Sequence, residues 1–157
     1  MVTALFGRLD AKHLMTYEDE PVPHRHLYTR LGTSPGKGVG VFAIRDIPQG
    51  CNPFVGDDAG STWIPAATVD AIADVEVRRM YLDFCPLVGD RYLAPRDFNK
   101  MTVSWFMNHS DEPNMASDAN VDFRAKRLIF AGEELTADYR SYSDHAEAFT
   151  NLWRTEP

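Results

Sequence analysis

Residues 101–139 read MTVSWFMNHSDEPNMASDANVDFRAKRLIFAGEELTADY, and this stretch decides how the chain is organised. Two short polar motifs lie within it. One is Asn108-His109-Ser110 followed by Pro113-Asn114; the other is Gly132-Glu133-Glu134-Leu135-Thr136 followed by Asp138-Tyr139. Between them runs a strand-like segment from Val121 to Phe130. Val121, Phe123, Ala125 and Ile129 alternate there, with a bulge expected near Arg127. Two motifs rich in hydrogen-bonding groups, joined by an apolar β segment, point to a site held between strands.

Upstream, His26 to Leu31 alternates and predicts a strand, and Gly32-Thr33-Ser34-Pro35-Gly36 reads as a turn cluster. Lys37-Gly38-Val39-Gly40-Val41-Phe42-Ala43-Ile44 then ends in an apolar strand. Glycines at 36, 38 and 40 allow positive φ or a close backbone approach. The segment lacks the third glycine and following helix of a dinucleotide fingerprint, and it is not a P-loop. Arg45 to Gly50 forms a second turn, and Asn52 to Gly60 a polar loop. Val69, Ile72, Ala73, Val77, Met80 and Phe84 recur at helical spacing and predict one helix with a core-facing stripe. Thr68 caps its start and Pro86 limits its end. Tyr92 to Pro95 is a short strand or turn. Ser143 to Trp153 predicts a capped helix with Ala146, Phe149, Leu152 and Trp153 on one side. Short strands with one good helix give a mostly β, minor α (α+β) domain, and nothing alternates as βαβ units do.

The 157 residues suit one domain, with 44% hydrophobic and 25% charged residues. No run of about 18 apolar residues predicts a membrane span. The N-terminus carries no basic segment leading into an apolar one, so no secretory signal is expected. The net charge of −7 and pI near 5.1 argue against direct nucleic-acid binding and are compatible with a cationic peptide partner. Cys51 and Cys85 match no zinc pattern. Free thiols in a reducing compartment are expected, with a single disulfide as the alternative. His24 and His26 flank Arg25 without a nearby third ligand, so no metal site is assigned.

Read one at a time, the polar residues leave alternatives open. Asn108 and His109 can read a purine edge, or serve as a turn residue and a core histidine. Tyr139 can orient an amine or handle a proton, or pack as a core tyrosine with its hydroxyl bonded. Glu133 and Glu134 suggest paired carboxylates, yet they follow Gly132 at a turn, where at least one would be solvated or would pin that turn. No Gly-x-Ser-x-Gly elbow is present, and neither cysteine has an activating neighbourhood.

Together, Lys37-Gly38-Val39-Gly40-Val41-Phe42-Ala43, the Asn108 motif and the run from Phe123 to Tyr139 resemble the SET-domain family of protein lysine methyltransferases, over roughly residues 26–142. The resemblance implies a β-clip fold of small curved sheets with a C-terminal pseudoknot, S-adenosylmethionine as methyl donor and S-adenosylhomocysteine as product. It implies donor and peptide on opposite faces, joined by a narrow channel. By similarity Lys37, Gly38 and Val39 would cradle the donor's amino-acid end. Asn108 and the His109 backbone would hold the donor, and Tyr139 would stand at the reacting centre. An aromatic, apolar channel would favour the neutral lysine amine by desolvation.

The chain also departs from the family. Asp111 stands where a cysteine is common, and Ala137 where many members carry an aromatic. The 52–60 region lacks the usual tyrosine-glycine strand, and no cysteine-rich segment flanks the domain. Tyr142, Phe149 and Trp153 are candidates to wall the channel, and Trp153 can stack on adenine or simply dock the last helix. The expectation is an N-terminal extension (1–25), a SET domain (26–142) and a helical tail (143–157). The function expected is methyl transfer to a lysine in a basic, exposed protein segment, in the cytoplasm (the nucleus in a eukaryote), with a homodimer contact as one way to complete the channel. The alternatives are a catalytically weak SET-like module that binds donor or peptide, and a plain structural β domain that would leave the motif set unexplained.

Overall fold

The computed structural model describes residues 24–56, 60–118 and 121–145. Its founding unit is a hairpin of β1 (Thr29–Ser34) and β2 (Gly38–Ala43), paired in register from Thr29↔Ala43 to Ser34↔Gly38. The first strand thus runs through Gly32 and Thr33, which the turn-rich composition had suggested as loop. Strand pairing satisfies their backbone groups, and the turn contracts to Pro35-Gly36-Lys37. Gly36 and Gly38 take left-handed backbone there, with φ 72° and 77°. On β2, Val41 and Ala43 point inward at period two.

Among the described residues seven further strands complete three small sheets: β3 (Ser61–Pro65), β4 (Leu87–Val88), β5 (Arg91–Pro95), β6 (Asn108–His109), β7 (Met115–Ser117), β8 (Phe123–Ala125) and β9 (Glu134–Ala137). The first sheet has the order β1-β2-β9-β6, the second β3-β5-β4, and the third is the pair β7-β8. β9 therefore lies between two strands distant from it in sequence. It runs antiparallel to β2 and parallel to β6 (Asn108↔Thr136, His109↔Ala137). Val41, Ile47, Ile129 and Leu135 are fully buried in the main core, and burying each contributes about 1.5–3 kcal/mol. A second, smaller core gathers Val69, Cys85, Tyr92 and Ala94. Both cysteines are free thiols. Cys85 is buried, and burial pushes its pKa up to about 12.

Two expected elements differ. The segment between the polar motifs is not one strand from Val121 to Phe130. β8 ends at Ala125, the chain bends at Lys126 and Arg127, and Ile129 rejoins by an isolated bridge to Ile47. Both parts keep backbone partners through this break, Ala125 N–H donating to the Cys51 carbonyl and Ile129 N–H to that of Ile47.

The single helix expected around residues 69–84 is two, α1 (Ala66–Asp70) and α2 (Val75–Phe84). Asp74 is the reason. Its carboxylate accepts from Glu76 N–H at 3.0 Å and Val77 N–H at 3.2 Å, so it caps a new helix, whereas Thr68 lies inside the first. The restart resets the helical phase. Val69 stays in the core, while Val77 is 44% exposed and α2 has no fully buried residue, so the continuous core stripe does not exist. The tail helix, with Phe149 and Trp153, lies outside the described residues. No described helix is long and apolar enough to cross a membrane.

Asp74→Ala removes the cap. It is expected to cost about 1 kcal/mol, read as a lower midpoint in urea unfolding, with Asp74→Ser retaining most of the stability.

Candidate functional site

The two motifs meet where β9 enters its slot. Asn108 begins β6 and is buried. Its amide donates one hydrogen to the Val39 carbonyl at 3.0 Å and the other to Glu134 Oε1 at 2.8 Å. The other oxygen of Glu134 accepts from the Ser34 hydroxyl at 2.9 Å. Gly40 lies directly beneath. A Cβ there would stand 3.0 Å from Asn108 Nδ2 and would collide with Glu134 Oε1, so only glycine lets β2 approach this node. Asn114 supplies a second clasp. Its amide donates to the Glu134 carbonyl at 2.8 Å and accepts from Thr136 N–H at 2.9 Å, pairing with β9 as a strand residue would.

Lys37 reaches across from the β1–β2 turn, its Nζ donating to the His109 carbonyl at 2.7 Å. His109 Nδ1 accepts from Tyr139 N–H at 3.2 Å, and the two rings stand 5.3 Å apart. The structure thus gathers Lys37, Val39, Asn108, His109 and Tyr139, with Gly38 beside them on β2. Trp153 lies outside the described residues. Asp111, where the resemblance leads one to expect a cysteine, pairs with Arg140 at 2.9 Å, and Arg140 also holds Asp138 at 2.8 Å. These ion pairs are largely exposed and add little stability, but they join the ends of the two motifs. The Arg140 contact is also the main reason the Asp138 carboxyl is held below its ordinary range.

Beyond Tyr139 opens a cavity of about 230 Å³, lined among others by Asn52, Phe54, Asp83, Phe84, Trp105 and Tyr142. Lys37, Gly38, Val39, Asn108 and His109 do not line it, so Tyr139 stands between the cavity and the motif junction. The Tyr139 hydroxyl donates to the Met107 carbonyl at 2.7 Å. Burial, reinforced by the Glu134 charge, holds its pKa well above the usual tyrosine range, and burial does the same for Tyr142. Both phenols therefore stay protonated at neutral pH and act through hydrogen bonds. Edge-on ring contacts run from Phe54 to Phe123, on to Tyr142 and then to Tyr139, at 6.5, 5.4 and 5.9 Å.

The expectation that one of Glu133 and Glu134 pins the turn is met by Glu133, whereas the hub role of Glu134 and several cavity residues escaped the sequence reading. Glu134 and Glu133 are neighbours with separate tasks. Glu134 is the polar hub, while Glu133 pins the turn, pairing with Arg127 at 2.7 Å and accepting from Phe130 N–H at 3.0 Å. Asn52 and Phe54, in the loop that departs from the family pattern, do line the cavity. Asp83, Phe84 and Trp105 carried no local signal beyond their chemistry.

The chain is thus a small-sheet domain with β9 inserted beside an Asn-His motif and a buried tyrosine at a cavity. A family model of the SET domain matches residues 38–140, and the chain belongs to the SET-domain family. Members are in general protein lysine methyltransferases and typically use S-adenosylmethionine. The chain is also similar to the crystal structure of a Plasmodium falciparum protein provisionally named a histone methyltransferase. The two are 20% identical, the match covers 71% of this chain and 92% of the other, and the TM-score is 0.44. No curated protein matches the chain.

Gly40→Ala is expected to cost about 1–3 kcal/mol by overpacking the junction, seen as a lowered thermal midpoint. Glu133, whose carboxyl is held below its ordinary range chiefly by the Arg127 hydrogen bond, gives a pH signature. A depressed folded-state pKa stabilises above the unfolded value and is lost as pH falls through the folded one. The stability gap between wild type and Glu133→Gln should therefore close on acidification from pH 6 to pH ~3, measured by thermal melts.

Proposed function

We propose that the chain is an S-adenosylmethionine-dependent protein lysine N-methyltransferase acting on a lysine in an exposed, basic protein segment. The observation that carries this reading is the Tyr139 hydroxyl, buried at the end of an aromatic-walled cavity with its proton given to the Met107 carbonyl. The phenol oxygen, which the His109 backbone N–H also approaches, acts toward an incoming amine as an acceptor of its N–H. Accepting it turns the nitrogen lone pair toward the donor, which is the orientation methyl transfer needs. The rings of Phe54, Phe123 and Tyr142 favour the uncharged amine over the ammonium by desolvation. Tyr139 thus serves as an orienting group, and its raised pKa leaves it no phenolate role at neutral pH.

The residues at the motif junction fit the donor. Both amide hydrogens of Asn108 are used within the protein, so what it offers a ligand is its amide oxygen, an acceptor suited to the ammonium of an amino acid. Lys37 supplies a cation suited to the carboxylate, and the His109 backbone borders the same junction. When bound, the donor supplies an electrophilic methyl on a sulfonium and departs as S-adenosylhomocysteine. One contact favours the second reading, a module that binds without transferring. Lys37 Nζ already occupies the His109 carbonyl, so donor binding there must displace it or build around it.

Calorimetric titration with S-adenosylmethionine and S-adenosylhomocysteine tests the donor site. Saturable binding is expected, weakened at least tenfold in Asn108→Ala; no binding to either by a folded sample would overturn the assignment. Tyr139→Phe is expected to keep donor binding and to lose about a hundredfold in transfer of labelled methyl to lysine peptides. Unchanged transfer would remove Tyr139 from the reacting centre.

A further inference from the structure

Asp83 sits on α2, one residue before the helix ends, and lines the cavity that Tyr139 closes. Its two carboxylate oxygens differ. Oδ2 faces Arg79 one helical turn back, at 3.5 Å, with the Arg79 side chain largely exposed. Oδ1 is buried and has no hydrogen-bond partner, the one such side-chain atom among the described residues. A buried carboxylate oxygen without a donor is costly, and native structures keep few of them without a functional reason. Burial pushes the Asp83 carboxyl above its ordinary range despite the pull of Arg79. The Asp83 side chain is itself partly exposed, so a rotation that brings Oδ1 onto a cation in the cavity would relieve both conditions. Phe84 and Trp105 line the same cavity and offer ring faces to such a cation.

We propose that Asp83 selects a second basic side chain, lysine or arginine, close to the target lysine in the substrate segment. The proposal rests on reading this cavity as the peptide side of a lysine methyltransferase. The target amine itself is the wrong occupant for Asp83, because a carboxylate against it would hold it protonated and block transfer. The electrostatics separate the two positions as well. The charge acting on Tyr139 is that of Glu134, whereas those acting on Asp83 are Arg79 and Glu76 of its own helix. Tyr139 handles a neutral amine, and Asp83, which lines the same cavity, offers a carboxylate to a charged neighbour. With a net charge of −7, the chain as a whole also favours such a partner.

The test uses a peptide library with a fixed central norleucine, which has the shape of the lysine stem without its amine, and randomised flanks. Peptides retained by the immobilised full chain are sequenced. The expected result is enrichment of arginine or lysine at one flanking position by about tenfold, lost in Asp83→Asn and partly kept in Asp83→Glu. Asparagine has the size of aspartate, and thermal melts confirm that each variant is folded. No basic preference in the wild type, or one that survives in Asp83→Asn, would overturn the proposal. So would a preference abolished by Asp122→Asn alone, which would move the recognition to the other carboxylate lining the cavity. A parallel library with central lysine and labelled donor reports on methyl transfer. Basic selection without transfer would overturn the catalytic reading and leave the role of Asp83 standing, and transfer without basic selection would do the reverse.

Discussion

The Glu134 carboxylate ties together the strands of this molecule's main sheet. It takes a hydroxyl from Ser34 on β1 and an amide from Asn108 on β6, while its own strand pairs with β2. Three segments far apart in sequence therefore converge on one side chain. Ser34 and Asn108 are both buried, so each bond is made in a medium where it is strong and where its loss leaves a polar group stranded. Gly40 gives the carboxylate room, and Asn114 locks the strand that carries it. Removing any one member leaves the others buried and unsatisfied, so the cluster behaves as a unit and not as a sum of pairs.

This node also explains how the chemistry is placed. β6 and β9 are only two and four residues long, and short strands hold position poorly by themselves. Fixed by the polar cluster, they set His109 beside Tyr139, and the hydrogen bond from Tyr139 N–H to the imidazole begins the turn that sends the tyrosine ring toward the cavity. The aromatic walls then come from elsewhere: Phe54 from a loop, Phe123 from β8 and Tyr142 from the residues after β9. Position is supplied by the polar centre and dryness by the periphery.

The sequence was informative where local chemistry and tertiary role coincide. The two motifs were legible because asparagine, histidine, glycine and tyrosine in that order suit few arrangements, and β2 because its alternation matched its pleat. The reading went astray where a single side chain reset the local pattern. Asp74 recapped a helix whose apolar spacing looked continuous, and the bend at Lys126 and Arg127 split a run whose composition looked uniform. Asp83 was invisible for a different cause. On a helical wheel it is an ordinary polar residue beside the apolar stripe, and only the folded structure shows one of its oxygens buried without a partner. The hub role of Glu134 was hidden in the same way, because the sequence does not say which buried donors wait beside the first residue of β9.

The position of β9 has a consequence for how the chain reaches this state. A strand flanked on both sides by earlier segments is the keystone of its sheet, and among the described residues it is the last strand along the chain. Until residues 134–137 are available, β2 and β6 each carry an open edge, of the kind that pairs with other chains. Closing that gap brings together residues nearly a hundred positions apart, a contact whose chain-entropy cost is met late and all at once. The sheet, the polar hub and the placement of the tyrosine therefore all depend on the same long-range pairing.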